Sequence, residues 1–172
     1  MSLFVVDVES DGPIVGVNSM VCFGAVKVDK YLDKTFYGKT KPIQQGYNPD
    51  ALAVSGFTRQ EHEQFDDPHL VMKKFADYLK LHSQGQPILI SDNNGYDASW
   101  INFYFHVYYG SNPFGWSSRR IADLFCGFYN DMHYQWKRHR KTNHDHNPVN
   151  DAIGNGEALL YLQSQGFNLK LK

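Results

Sequence analysis

"LFVVDVESDG", residues 3–12, decides how the rest of the chain is read. Leu3, Phe4, Val5 and Val6 form an apolar run that predicts a buried strand, and Asp7 and Glu9 then interrupt it at alternate positions around Val8. Side chains two apart on a strand leave from the same face, so the two carboxylates sit side by side. Ionised carboxylates that lose water and face one another are costly unless something compensates them.

Outward from this strand, Gly12, Pro13 and Gly16 mark a loop. "SMVCFGAVKV", 19–28, is rich in β-branched and aromatic residues and predicts a second strand. "DKYLDK" then predicts a hairpin into a third strand within "KTFYGKTKP", which makes the start of the chain an antiparallel meander. In "HLVMKKFADYLKLH", 69–82, Val71, Phe75, Tyr78 and Leu79 repeat at helical spacing, and "PILIS", 87–91, follows as a short buried strand. A helix crossing between two strands is the signal for parallel pairing. Further helices are expected from Asp97 to Tyr109, over about 119–132, and from near Asp151 to Gly166. The fold class is therefore α/β, a mixed central sheet flanked by helices, in one domain over 1–172.

Composition narrows the function. A chain of 172 residues suits one full-sized core. With 17 Lys and Arg against 18 Asp and Glu, the net charge of −1 gives no global attraction to nucleic acid, so any such attraction must be local. Cys22 and Cys126 stand alone with no CxxC, which disfavours a disulfide scaffold and a thiolate zinc site. The N-terminal apolar stretch ends at Asp7 and no run reaches membrane-spanning length, so the expectation is a cytoplasmic protein without membrane contact.

Two further acidic residues repeat the opening oddity. Asp97, in "SDNNGYDASWIN", lies just past the strand "ILIS" at a helix start, where α/β folds build sites. Asp151 shares a stripe with Ala158, Leu159 and Leu162 and so points toward the core. Taken singly, Asp97 and Asp151 suit helix N-termini, and Glu9 can pair with a lysine. Asp7 has apolar neighbours on both sides, and the four together favour a hard divalent cation with oxygen ligands, Mg²⁺ or Mn²⁺. An EF-hand reading of "DVESDG" fails, because position twelve of the loop is Asn18. "GNGEAL", 154–159, fails as a dinucleotide fingerprint because its third glycine falls on Leu159. His146, five residues before Asp151, suits proton transfer from water.

Asp7-x-Glu9, Asp97 with Asn93 four residues before it, and His146-x4-Asp151 resemble the three motifs of the DEDDh 3′–5′ exonucleases, in the same order and spread over nearly the whole chain. "SGFT", 55–58, also resembles the segment after the third strand in that superfamily. The last motif looks most similar to its small bacterial and phage branch, which includes exoribonucleases acting on short or adenine-rich RNA. The resemblance implies a ribonuclease H-like fold and removal of nucleoside 5′-monophosphates from the 3′ end of single-stranded RNA or DNA. It implies two divalent ions on Asp7, Glu9, Asp97 and Asp151, with His146 as general base, and it suggests a homodimer. Ser10 stands where the family often has Thr, and Asp92 where several relatives have His. His144 supplies a second imidazole, but the five-residue spacing favours His146. For substrate, Ser10 and Asn93 flank the acidic residues, and Phe57 is a candidate to stack on the terminal base. Arg138, Arg140 and Lys141 in "WKRHRK", 136–141, are candidates for phosphate contacts, against the alternative of a solvated loop. Trp100, Tyr104 and Tyr108 share a helical face and are assigned to packing. The rival from another class is a silent nucleic-acid-binding module on the same fold, which has no need of all five motif residues.

Overall fold

The computed structural model describes residues 2–170. Its strands are β1 (Ser2–Ser10), β2 (Met20–Lys27), β3 (Thr35–Lys39), β4 (Pro87–Ser91) and β5 (Ser118–Arg120); its helices are α1 (Pro49–Val54), α2 (Arg59–His62), α3 (Pro68–His82), α4 (Asn94–Tyr108), α5 (Ile121–Tyr129) and α6 (Pro148–Ser164). A 3₁₀ turn spans Trp136–His139. The sheet order is β3-β2-β1-β4-β5, antiparallel across β1–β2 and β2–β3 and parallel across β1–β4 and β4–β5. This is the mixed sheet expected, with β1 at its centre. Met1, Leu171 and Lys172 of the 1–172 span lie outside the described residues.

Helices cover both faces, which explains why β1 reads as an unbroken apolar run. Phe4, Val6 and Val8 pack toward α3 and α4, against Phe75, Leu79, Trp100 and Tyr104. Val5 and Val26 pack the other way, against Ile121 and Phe125 of α5, Trp136, and Leu159 and Leu162 of α6. Trp100 and Tyr104 are buried, and the Tyr104 hydroxyl accepts the Met20 N–H at 2.8 Å, so these aromatics belong to the core. By alternation Asp7 leaves β1 on the α6 side, as Val5 does.

Gly24 makes that face usable. It lies opposite Asp7 in the β1–β2 register, and a Cβ there would overlap the Pro148 carbonyl and the Val149 nitrogen. The start of α6 thus rests directly on the β2 backbone beside Asp7. Asn147 caps the helix, its side-chain oxygen accepting the Val149 N–H at 3.1 Å, and Pro148 takes the first helical position.

Element boundaries differ from expectation in places with local causes. Helix α6 begins at Pro148 and α4 at Asn94, each three residues ahead of the aspartate taken as its start. The expected helix over 119–132 is a short strand followed by α5: "SRR" of β5 is too polar and too short to show a period, and Asn130 ends α5 in the left-handed region at φ 51°. Helices α1 and α2 lie in a stretch with no apolar period, where Asn48 ahead of Pro49 and the capping box of Thr58 with Glu61 are the helix-start signals. Among the described residues no helix is long and apolar enough to cross a membrane.

Gly24→Ala is expected to destabilise the protein by about 1–3 kcal/mol in urea denaturation, the usual cost of overpacking. Gly127→Ala on α5, where a Cβ meets nothing within 4 Å, is expected to be neutral or stabilising by up to about 1 kcal/mol. Equal effects of the two would show that α6 does not depend on Gly24.

Candidate active site

The carboxylates converge from three elements. Asp7 and Glu9 project from the end of β1, next to the register irregularity between Glu9 and Ser10, and are half-buried. Asp97 lies in the first turn of α4, just past β4, and Asp151 in the first turn of α6; both are buried. The site therefore sits outside the carboxyl ends of the parallel strands β1 and β4. Asp7, Glu9 and Asp151 bring carboxylate oxygens within 4.8 Å of one another.

Each buried aspartate is held by one oxygen and leaves the other without a partner. Asp97 Oδ1 accepts the Val8 N–H at 3.2 Å, which ties α4 to β1, while its Oδ2 has no hydrogen bond among the described residues. Asp151 Oδ1 accepts from Arg140 Nη2 at 2.7 Å and lies 2.6 Å from His144 Nδ1, while its Oδ2 is likewise unpaired. Arg140 is itself only 9% exposed. A Cβ on Gly154, one turn after Asp151, would collide with its guanidinium. The glycine of "GNGEAL" is thus a seat for an inward-facing arginine.

Electrostatics record the strain. Burial holds the Asp7 carboxyl well above the usual carboxylate range, Asp97, Asp151 and Glu9 add repulsion, and Arg140 opposes it. Burial also raises Glu9, against the pull of His146, whose Nδ1 is 3.4 Å from Glu9 Oε1. Asp97 is pushed up to about 7, first by burial, with the nearby Ser91 hydroxyl and the Val8 N–H opposing and Asp92 and Glu9 adding repulsion. Oxygen donors, two of them orphaned in buried positions, fit a hard divalent cation, which would remove both the repulsion and the missing partners.

The other predicted residues fall into two groups. Ser10 is buried, donates to the Gly12 carbonyl at 2.6 Å and is hydrogen-bonded to the Tyr96 hydroxyl, so it shapes the loop after β1. Asn93 is exposed at the N-cap of α4 without a side-chain capping bond, and its carbonyl accepts the Asp97 N–H at 2.9 Å. Phe57 packs edge-on against Phe65, with Lys39 Nζ 4.6 Å over its ring. The basic cluster is divided: Arg140 turns in to Asp151, exposed Arg138 lies 4.7 Å over the Tyr134 ring, and the exposed Lys141 donates its backbone N–H to Glu157 at 2.6 Å. Among these three, Arg140 alone contacts the carboxylates.

The sequence singles out both histidines but not which carboxylate each meets, and it gives no signal for the pairing of Asp11. His144 reaches Asp151 while His146 reaches Glu9, so both imidazoles of "HDH" touch the acidic cluster. Fully buried Asp11 accepts the Ser19 N–H at 2.6 Å and pairs with Arg59 at 3.1 Å, with His62 Nδ1 at 3.9 Å, binding the loop after β1 to α2. Arg59 and His62 lie some fifty residues away, beyond any local spacing rule.

No profile of a known protein family matches the chain. The 3′–5′ DNA exonuclease Cap18 of Escherichia coli is 32% identical over 160 residues, which cover 86% of this chain and 83% of that protein. The crystal structure of the nuclease domain of 3′hExo, a DEDDh family member bound to rAMP, superposes with a TM-score of 0.79 at 17% identity, over 96% of this chain and 92% of that one. The zinc-bound form of the E. coli ExoI–ssDNA complex superposes with a TM-score of 0.65 at 17% identity, over 94% of this chain and 39% of that one. At such identities the two structures establish the ribonuclease H-like fold.

Raised carboxyl groups bind protons more tightly in the folded than in the unfolded chain, so their contribution to stability is present at low pH and lost as pH rises. In chelator, the melting temperature is expected to fall between about pH 4 and about pH 7, from the ordinary carboxylate value of 3.8 toward that of folded Asp97. Asp97→Asn should flatten this slope and raise the melting temperature at pH 8 by several degrees, since about 1 kcal/mol corresponds to about 2–4 °C at this size. A variant with the wild-type slope would remove Asp97 from the strained set.

Proposed function

Because this chain belongs to the DEDDh superfamily of 3′–5′ exonucleases, we propose that Asp7, Glu9, Asp97 and Asp151 hold its divalent metal and that His146 is its general base on single-stranded DNA. The enzyme is a 3′–5′ exonuclease, a hydrolase of phosphodiester bonds. The single observation that supports the assignment of residues is the gathering of Asp7, Glu9 and Asp151 beside His146, with Asp97 held to β1 through Val8 and close enough to repel Asp7, and with buried orphaned oxygens on Asp97 and Asp151.

Asp7, Glu9, Asp97 and Asp151 would hold two Mg²⁺ or Mn²⁺ ions, which would supply Lewis acidity to the phosphoryl group and acidify a water. The chain's own residues do the rest. His146, half-exposed and 3.4 Å from Glu9, takes the proton of the attacking water, and the Glu9 carboxylate steadies the imidazolium that forms. The new oxygen–phosphorus bond forms as the bond to the upstream 3′ oxygen breaks; that oxygen takes a proton from solvent, the His146 imidazolium returns one to solvent, and a nucleoside 5′-monophosphate is freed. His144 is less suited to this task, being engaged with Asp151 at 2.6 Å. Arg140 supplies fixed positive charge where the scissile phosphate enters. Arg138 and Lys141 serve the more distant backbone, Phe57 offers a face to a base, and Ser10 and Asn93 hold the loops around the terminal nucleotide.

DNA is preferred as substrate because the relative at 32% identity is named a DNA exonuclease. RNA is the second reading, favoured by the likeness of the last motif to exoribonucleases and by the rAMP in 3′hExo. Two free cysteines fit a cytoplasmic setting, and a homodimer rests on the family resemblance alone.

Matched 5′-labelled single-stranded DNA and RNA are to be incubated with Mg²⁺, Mn²⁺ or chelator. The expected result is a metal-dependent ladder shortening from the 3′ end, faster on DNA; a faster RNA ladder would reverse the substrate assignment. His146→Ala is expected to lower kcat about 10²–10⁴-fold with metal binding retained, and unchanged turnover would remove it as the base.

A further inference from the structure

The "HDH" segment before α6 holds more imidazole than the hydrolysis above requires. Asp145, between the two histidines, is turned toward the helix: its carboxylate accepts the Asn147 N–H at 3.0 Å and the Asn150 side-chain N–H at 2.8 Å. His146 sits in the left-handed region at φ 59°, an uncommon conformation for a residue other than glycine. Pinned in this way, the flanking rings come together with centroids 4.4 Å apart. One nitrogen of His144, one of His146 and a carboxylate oxygen of Asp151 lie within 4.8 Å of one another. His144 Nδ1 is 2.6 Å from Asp151 Oδ1, and the buried Oδ2 of the same carboxylate has no partner among the described residues.

Two imidazoles and one carboxylate, with an open side toward solvent, are a donor set for a borderline ion such as Zn²⁺, whose three-ligand sites keep a fourth position for water. The set differs in chemistry from the all-oxygen cluster of Asp7, Glu9 and Asp151, which suits harder ions. We propose that His144, His146 and Asp151 form a second metal site, selective for zinc-class ions, whose occupation stops hydrolysis. The two sites share Asp151. An ion on the histidine side takes the ring lone pair with which His146 would accept a proton, and draws Asp151 away from the carboxylate cluster. Loss of hydrolysis on occupation rests on the reading of His146 as base; the metal site itself does not.

The test measures Zn²⁺ binding by titration calorimetry in excess Mg²⁺, and Zn²⁺ inhibition of Mg²⁺-supported hydrolysis, for wild type, His144→Ala and His133→Ala. His144 and His133 are both exposed, but only His144 contacts Asp151, so Zn²⁺ inhibition is read relative to each protein's own rate in Mg²⁺. Wild type and His133→Ala are expected to bind one Zn²⁺ and to be inhibited by it. His144→Ala should lose at least about tenfold in Zn²⁺ affinity, as even changes beyond the ligands themselves cost about 10–100-fold at metal sites. Its inhibition curve should shift by the same factor. Equal Zn²⁺ affinity in wild type and His144→Ala would overturn the site. Binding that depends on His144 but leaves hydrolysis untouched would support the site and refute the role of His146 as base, so the two failures are distinguishable.

Discussion

Every feature of this molecule near its working end answers to one constraint, the gathering of like charges in a place with little water. Asp7 and Glu9 are fixed side by side by the pleat of β1, and their repulsion cannot be relieved by turning one away. Asp97 and Asp151 are brought in by helices that start beside the same strand end. Burial and mutual repulsion raise the carboxyl groups of Asp7, Glu9 and Asp97, and a fold that keeps such an arrangement does so at a cost in stability that function repays.

The compensations are built from backbone as much as from charge. Gly24 lets the start of α6 touch the sheet opposite Asp7, and Gly154 opens a seat for the Arg140 guanidinium against Asp151. Neither glycine is needed for a turn; each is needed because another group must approach closely. The Val8 N–H holds Asp97, and Asp11 with Arg59 anchors the loop that follows Ser10. Groups placed on a sheet and on capped helix starts are held more firmly than groups on free loops, which suits a site that must orient a phosphate.

Much of this was legible in the sequence wherever a residue's neighbours were local. The alternation in β1, the helical spacing of Val71, Phe75 and Leu79, and the isolated run "PILIS" predict elements that the structure contains, because their signals come from burial on a fixed period. The acidic residues stood out because they broke that period. Strand β5 was hidden because three polar residues at the sheet edge carry no pattern, and α1 and α2 because their capping signals lie in a polar stretch with little periodicity. The direction taken by each member of "WKRHRK" was hidden as well. Arg140 turns inward only because Gly154 leaves room, fourteen residues away and across a loop. Composition showed a basic cluster, and packing divided it.

Membership of the DEDDh exonucleases joins the fold to its activity, and the strained carboxylates join the activity to a metal. Crystals grown in Mn²⁺ and measured for anomalous scattering test that link most directly. The predicted result is anomalous density bounded by Asp7, Glu9, Asp97 and Asp151, with the free oxygens of Asp97 and Asp151 as ligands. Clear density for all four carboxylates with no anomalous signal among them, and Arg140 still paired with Asp151, would contradict the claim that these residues are gathered to hold a metal.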